Sequence, residues 1–250
     1  MEKLEQLYEG KAKKVFKTDD PELLIVEYKD DATAFNGLKK GTIAGKGVIN
    51  NEMSNRLMQM LEKQGIPTHF VKELDSRQTL VKKVSIVPLE VIVRNISAGS
   101  FAKHYGVEEG IVFEHPTIEF SYKNDALGDP LLNTYHALAL KLATPEEIKT
   151  IEDYSFRINE ALKAFWLTCG VTLVDFKLEF GRLSDGTIVL AETGFEGKFS
   201  PFFAASASDQ DVIDLTQLGP VCNLRRQPPG CPNRERIFLP NTVFLHGGQL

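Results

Sequence analysis

What the sequence has little of bounds it first. Cysteine is sparse, and Cys169, Cys222 and Cys231 form an odd set at irregular spacing. That argues against a disulfide framework and suits a reducing compartment. Cys222 and Cys231 lie near each other, but without a CxxC pair or a companion histidine cluster no zinc site is expected. No apolar run approaches the roughly 20 residues of a membrane-spanning helix, so no membrane partner is expected. The opening MEKLEQLYEG has no apolar signal core, and a cytoplasmic location follows as the expectation. Positive charge is not in excess. The formal net charge is -5, so a nucleic-acid partner is not expected and any polyanion site must be a local cluster of Lys and Arg. There is no GxxxxGK[ST] loop, and neither the HRD-type loop nor the DFG of protein kinases.

The rest is ordinary globular material. Of 250 residues, 42% are hydrophobic and 25% charged, enough to bury a core in one large domain or two packed small ones. QLYEGKAKKVFKTDDPELLIVEYKDDATAF alternates apolar and polar residues on both sides of the Gly-Lys turn and again after Asp19-Asp20-Pro21, which predicts antiparallel strands. GKGVINNEMSNRLMQMLEKQGIP shifts to helical spacing at Val48, Met53, Leu57, Met60 and Leu61 and stops at Gly65 and Pro67. THFVKEL, QTLVKKVSIVP and LEVIVRNIS read as strands. SAGSFAKHYG reads as a short helix with Ser97 as its cap and Gly106 as its stop. A long helix is predicted from Thr144, the cap, through Pro145, Glu146 and Glu147 to Gly170. VTLVDFKLEFGRL and TIVLAE flank a turn at Ser184-Asp185-Gly186 and predict a hairpin. After Glu192 the character changes. The tail holds half of the twelve prolines and two of the three cysteines, and only SDQDVIDLTQL reads as helical.

Four stretches carry chemistry. In YEGKAKKVF, Gly10 lets backbone N–H groups approach a ligand, and Lys11, Lys13 and Lys14 can neutralise phosphate charge. The same residues would also make an exposed hairpin with solvated lysines, so this stretch alone leaves both readings open. Arg94 ends the apolar run LVKKVSIVPLEVIVRN, where a charge is costly unless it meets an anion or a structural partner. RNISAGS then brings Ser97, Gly99 and Ser100 to a helix start, a suitable anion pocket. LVDFKLEFG puts Asp175, Lys177 and Glu179 on one strand face and Val174, Phe176, Leu178 and Phe180 on the other. Two carboxylates around a lysine suit a magnesium ion beside a substrate anion; a solvated face with internal ion pairs is the plainer alternative. YKNDALGDP sets Lys123, Asp125 and Asp129 in a turn-rich loop, where functional residues often sit.

Taken in order, YEGKAKKVF, FNGLKKGTIAGKGVINNEMS, GIPTHFV, VKKVSIVPLEVIVRNISAGSFAKHYG, KNDALGDP and LVDFKLEFG strongly resemble the SAICAR synthetases of purine biosynthesis, over about residues 2–191. The resemblance implies an α+β fold: an antiparallel, kinase-like N-terminal subdomain and a larger ATP-grasp-like one, here expected at 1–84 and 85–192. It implies an ATP- and Mg²⁺-dependent ligase that joins carboxyaminoimidazole ribonucleotide to L-aspartate, commonly as a homo-oligomer. Gly10, Lys11, Ala12 and Lys13 then match the flap over the ATP phosphates. Lys82 and Glu90 match positions around the adenine, and Lys123 a nucleotide contact. Arg94 and Ser100 match the holders of the ribonucleotide 5'-phosphate. Asp175 and Lys177 match residues beside the substrate imidazole and its carboxylate, and Glu179 a magnesium ligand. Glu192 takes the place of the family's metal-binding aspartate, one methylene longer. Beyond it the family's Ser-Pro-Asp motif is replaced by Ser200-Pro201-Phe202, and its later arginines have no counterpart. Residues 193–250 are therefore an atypical tail. The alternative expectation is a truncated or frameshifted synthetase that binds ATP without ligase activity.

Overall fold

The computed structural model describes residues 1–10, 12–34, 39–192 and 203–205. Two five-stranded antiparallel sheets and four α-helices make an α+β fold. The alternating N-terminal stretch forms β1 (Lys3–Glu9), β2 (Lys13–Thr18) and β3 (Leu23–Tyr28), followed by a separate ribbon of β4 (Asp31–Ala34) and β5 (Lys39–Thr42). After helix α1 (Lys46–Glu62), β6 (Phe70–Glu73) and β7 (Gln78–Lys82) return to the first sheet, whose order is β1-β2-β3-β7-β6. The second half contributes β8 (Ser85–Ile96), α2 (Gly99–Tyr105), β9 (Val112–Tyr122), β10 (Leu131–Leu132), α3 (Thr134–Ala139) and α4 (Pro145–Thr168). β11 (Val171–Leu173), β12 (Asp175–Arg182) and β13 (Ile188–Glu192) follow, and the second sheet runs β10-β9-β8-β12-β13. In the tail, β14 (Phe203–Ala205) pairs with β11, a strand the sequence pattern did not signal. The helix expected in SDQDVIDLTQL, and Cys222 and Cys231, lie outside the described residues.

Three boundaries differ from expectation for physical reasons. β8 runs unbroken through Pro88, which has no N–H to give to a ladder. The pairing with β12 shifts register between Glu90↔Glu179 and Ile86↔Gly181, so Pro88 falls in an irregularity where none is needed. VTLVDFKLEFGRL is two strands. Val174 leaves the ladder, and its carbonyl accepts from the N–H groups of Asn95 (2.7 Å) and Ile96 (3.4 Å). Ser97 does not cap α2. Ala98 holds the cap position without a side-chain bond, while the Ser97 hydroxyl donates to the Glu108 carbonyl and accepts from Ile111 N–H. Gly106 does end α2, in the left-handed conformation at φ 64°. Thr144 caps α4 in a reciprocal capping box with Glu147.

The main core lies on one face of the second sheet. Val87, Leu89, Val91 and Val93 of β8 and Phe176, Leu178 and Phe180 of β12 pack against Ile151, Ile158, Leu162 and Trp166 of α4. Helix α1 serves both sheets. Its Met53, Leu57 and Leu61 join this core, while Asn51 and Asn55 turn to the first sheet, their Oδ1 atoms 2.6 and 2.8 Å from the buried Thr79 hydroxyl of β7. The sheets also meet through backbone. Leu190 N–H donates to the Pro67 carbonyl and His69 N–H to the Leu190 carbonyl, each 2.9 Å, a parallel bridge beside the start of β6.

Candidate active site

The alternation of LVDFKLEF buries Phe176, Leu178 and Phe180 in the core and turns Asp175, Lys177 and Glu179 to the opposite face. Antiparallel register then fixes their neighbours. Glu179 faces Glu90 of β8 on one side and Glu192 of β13 on the other, and Asp175 faces Arg94. Directly paired residues have Cβ atoms about 4.5–5.5 Å apart, so three carboxylates stand in a row. Like charges so placed repel, and one lysine of the same strand and two from elsewhere offset them. Lys177 is ion-paired with Glu90 and lies 3.3 Å from Glu179 Oε1. Lys123, at the end of β9, reaches the same Glu179 oxygen at 2.8 Å. Lys13 of β2 crosses from the first sheet to Glu192 Oε2 at 2.9 Å. Glu179 is 4% exposed. Burial alone would lower the Lys123 ammonium, but its bond to Glu179 outweighs that and leaves the pKa above its ordinary value. Burial would raise the Glu192 carboxyl, but Lys13, with Lys177 and Lys123, holds it below the usual carboxylate range.

The first sheet contributes Lys13 and the residues around it. Gly10 N–H donates to the Lys13 carbonyl at 2.8 Å, closing the β1–β2 turn, and Lys29 N–H donates to the Ala12 carbonyl at 2.8 Å. Lys11 lies outside the described residues. Lys82 donates to the Thr68 carbonyl at 3.1 Å. Beside it is His69, which sequence reasoning passed over because an isolated histidine has no local signal. Burial, helped by Lys13 and Lys82, pushes its imidazole down to about 3, so it is neutral at physiological pH.

A second polar centre lies along the same face of the second sheet. Arg94 is 4% exposed. Its Nε and Nη2 donate to the two Glu119 oxygens at 2.9 and 3.3 Å, Nη1 to Asp175 Oδ2 at 2.6 Å, and Nη2 to Ser100 Oγ at 2.9 Å. Glu119 was not singled out from sequence. It lies 25 residues from Arg94 and is brought close by the β8–β9 register, in which Arg94 pairs with Thr117 and Ile92 with Glu119. Behind Arg94, Asn95 and Asn159 exchange amide bonds at 2.8 and 2.9 Å, tying β8 to α4. Lys13, Glu90, Lys123, Lys177, Glu179 and Glu192 therefore gather at one centre, with Lys82 and His69 on its rim; Arg94, Ser100 and Asp175 gather at the other.

Among the described residues no three His, Cys, Asp or Glu side chains are grouped to hold a metal ion. Glu179 and Glu192, opposed in register, could give a cation two carboxylates, in keeping with magnesium's habit of taking few protein ligands beside phosphate and water. Among the described residues no helix is long and apolar enough to cross a membrane.

The profile of the SAICAR synthetase family matches residues 6–196. The phosphoribosylaminoimidazole-succinocarboxamide synthase of Lachnoclostridium phytofermentans is 62% identical over 192 residues, which are 77% of this chain and 81% of that protein. The synthase of the same name from Thermoanaerobacter sp. strain X514 is 59% identical over 192 residues, 77% and 82% of the two chains. The crystal structure of the Ehrlichia chaffeensis synthase superposes with a TM-score of 0.73 at 43% identity, covering 76% of this chain and 81% of that one. A SAICAR synthetase solved in complex with ADP superposes with a TM-score of 0.72 at 46% identity, covering 76% and 80%. The chain belongs to the SAICAR synthetase family of ATP-dependent ligases.

Proposed function

We propose that this protein joins carboxyaminoimidazole ribonucleotide to L-aspartate at the expense of ATP, in the cytoplasm, through an acyl phosphate. The observation that carries the reading is the convergence of Lys13, Lys123 and Lys177, from both sheets, on Glu90, Glu179 and Glu192. A solvated strand face would not draw lysines from three elements onto buried and half-buried carboxylates. The solved relative in complex with ADP supports the use of ATP.

A free carboxylate is a poor acyl donor, because the leaving group would be oxide. In the proposed reaction a carboxylate oxygen of the ribonucleotide attacks the γ-phosphorus, and the bond from that phosphorus to the bridging oxygen of ADP breaks. The aspartate amine then attacks the acyl carbon, inorganic phosphate leaves, and the amine gives up a proton. Lys13 and Lys123 hold the nucleotide phosphates, with Gly10, Lys11 and Ala12 as the covering turn. Lys82 and Glu90 border the adenine, and Lys177 steadies the carboxylate as its charge shifts. Such catalysis is chiefly positioning and electrostatic stabilisation. Arg94 and Ser100 receive the 5'-phosphate, and Asp175 orients the imidazole. Glu179 and Glu192 would hold Mg²⁺, which when bound supplies charge neutralisation at the phosphates. Residues 1–84 form the ATP-flap subdomain and 85–192 the substrate- and metal-binding subdomain, from which Glu90 and Lys123 reach the nucleotide, and the assembly is a homo-oligomer.

A second reading is favoured by one observation: the family match stops at residue 196 of 250. It is a synthetase that binds ATP without ligating. Turnover with the ribonucleotide, ATP, Mg²⁺ and L-aspartate separates the two. Aspartate-dependent product and ADP are expected. Nucleotide binding without product would overturn the ligase reading and leave the second.

A further inference from the structure

We propose that Glu119 is the fixed anchor of Arg94 and Asp175 its exchangeable counter-ion, so that a phosphate monoester arriving at Arg94 takes the place of Asp175. The inference rests on the reading above that Arg94 and Ser100 receive a phosphate.

The geometry separates the two carboxylates. Glu119 grips the guanidinium through both oxygens, on Nε and Nη2. A two-point fork fixes the plane of the group as well as its position. Asp175 meets the guanidinium at Nη1 alone. Of the five guanidinium N–H groups, the only one without a partner among the described residues is the second on Nη1. The Ser100 oxygen accepts from Nη2, which leaves its own O–H for an incoming oxyanion. Two N–H groups of Nη1 and one hydroxyl therefore become available on the same side once Asp175 withdraws, with Glu119 still in place.

Charge favours such an exchange. Among the described residues, one guanidinium between two carboxylates carries a local charge of about -1, which repels a phosphate dianion in a water-poor setting. The backbone indicates which carboxylate yields. Glu119 is inside β9, between Ile118 and the buried Phe120, and all three are paired with β8. Asp175 opens β12, directly after the residue at which the ladder breaks. When it yields, its carboxylate becomes available on the strand face it shares with Lys177, so phosphate capture also prepares the group proposed to orient the imidazole. Glu119 is thus a positioning residue that acts through Arg94.

Calorimetric titration of the full chain with inorganic phosphate tests this. Asp175→Asn and Glu119→Gln each remove one negative charge beside Arg94, so charge alone predicts that both tighten binding. Exchange predicts opposite results: about tenfold tighter for Asp175→Asn and several-fold weaker for Glu119→Gln. Glu119→Asp keeps the charge but withdraws the fork, and should also weaken binding; it carries the test if Glu119→Gln lacks a cooperative thermal transition. Equal tightening in Asp175→Asn and Glu119→Gln, or wild-type affinity in Glu119→Asp, would overturn the assignment. Arg94→Gln should abolish the phosphate signal. If it binds phosphate as the wild type does, the phosphate site itself is wrong, a failure distinct from that of the exchange.

Discussion

Gly47→Ala sets helix propensity against packing. Gly47 lies in the first turn of α1, and alanine would favour the helix by up to about 1 kcal/mol. The surroundings oppose it. A Cβ there would stand 2.6 Å from Arg77 Nη1 and 2.6 Å from the Tyr28 carbonyl oxygen. The arginine can move, but the carbonyl belongs to the last residue of β3, whose N–H donates to the Arg77 carbonyl at 2.9 Å, and it cannot give way without disturbing the end of the sheet. Overpacking of this kind costs about 1–3 kcal/mol. Moving Arg77 also loosens its two bonds to Asp30, 2.8 and 2.9 Å. Asp30 in turn accepts from Gly47 N–H at 2.8 Å and Gly45 N–H at 3.3 Å, capping a helix whose own N-cap glycine has no side chain. The net expectation is a loss of about 2 kcal/mol in urea unfolding at pH 7. Acid adds a second readout. The bond from Arg77 holds Asp30 at about 2, below its usual 3.8. A depressed carboxyl stabilises the fold above its unfolded pKa, and that contribution is lost as pH falls from about 4 to 2. The gap between wild type and variant should therefore narrow across that window while its steric part persists. A variant as stable as the wild type at pH 7, or a gap that widens in acid, would refute the reasoning.

Thr144→Ala removes half of the α4 capping box and should cost about 1 kcal/mol in thermal or chemical unfolding. Asn159→Leu leaves the Asn95 amide buried beside an apolar group, and a loss of about 2–3 kcal/mol is expected by the same measurement. Lys177→Met should lower turnover at least about 100-fold while the far-ultraviolet spectrum stays native. The Glu147 carboxyl is held low chiefly by Arg182, so Arg182→Gln should lose stability relative to wild type above pH 5, with the difference shrinking as pH falls below the ordinary carboxylate range.

The sequence was most informative where chemistry repeats at short range. The period of two in LVDFKLEF announced both the buried Phe176 and Leu178 and the polar Lys177 and Glu179, and the start of α4 was legible from Thr144, Pro145 and Glu147 together. It was least informative where partners are remote. Asp30 and Arg77 are 47 positions apart, Asn95 and Asn159 are 64 apart, and Lys13 and Glu192 are 179 apart. No local pattern encodes such meetings, because strand order decides them. Arg94 illustrates the limit. An expensive charge at the end of an apolar run signalled a partner, and Asp175 and Ser100 were both singled out, but Glu119 looked like any polar residue of an alternating strand. The break at Val174 was hidden for a related reason: the composition of VTLVDFKL is continuous, and only the neighbouring β8 shows that its backbone turns aside.

The order of strands in the second sheet also governs how the chain emerges during synthesis. β8 can pair with β9 early, since the two span residues 85–122 with only α2 between them. Its other edge waits for β12, whose last residue is Arg182. At roughly 5–20 residues per second, the intervening stretch takes on the order of 3–12 s to appear. Throughout that interval Val87, Leu89, Val91 and Val93 sit on a strand with an open flank, the arrangement most prone to pair with another chain. The strand that carries Glu90 and Arg94 is therefore also the segment of a nascent polypeptide most in need of shielding, and slow translation between residues 122 and 182 should raise the yield of aggregate over folded protein.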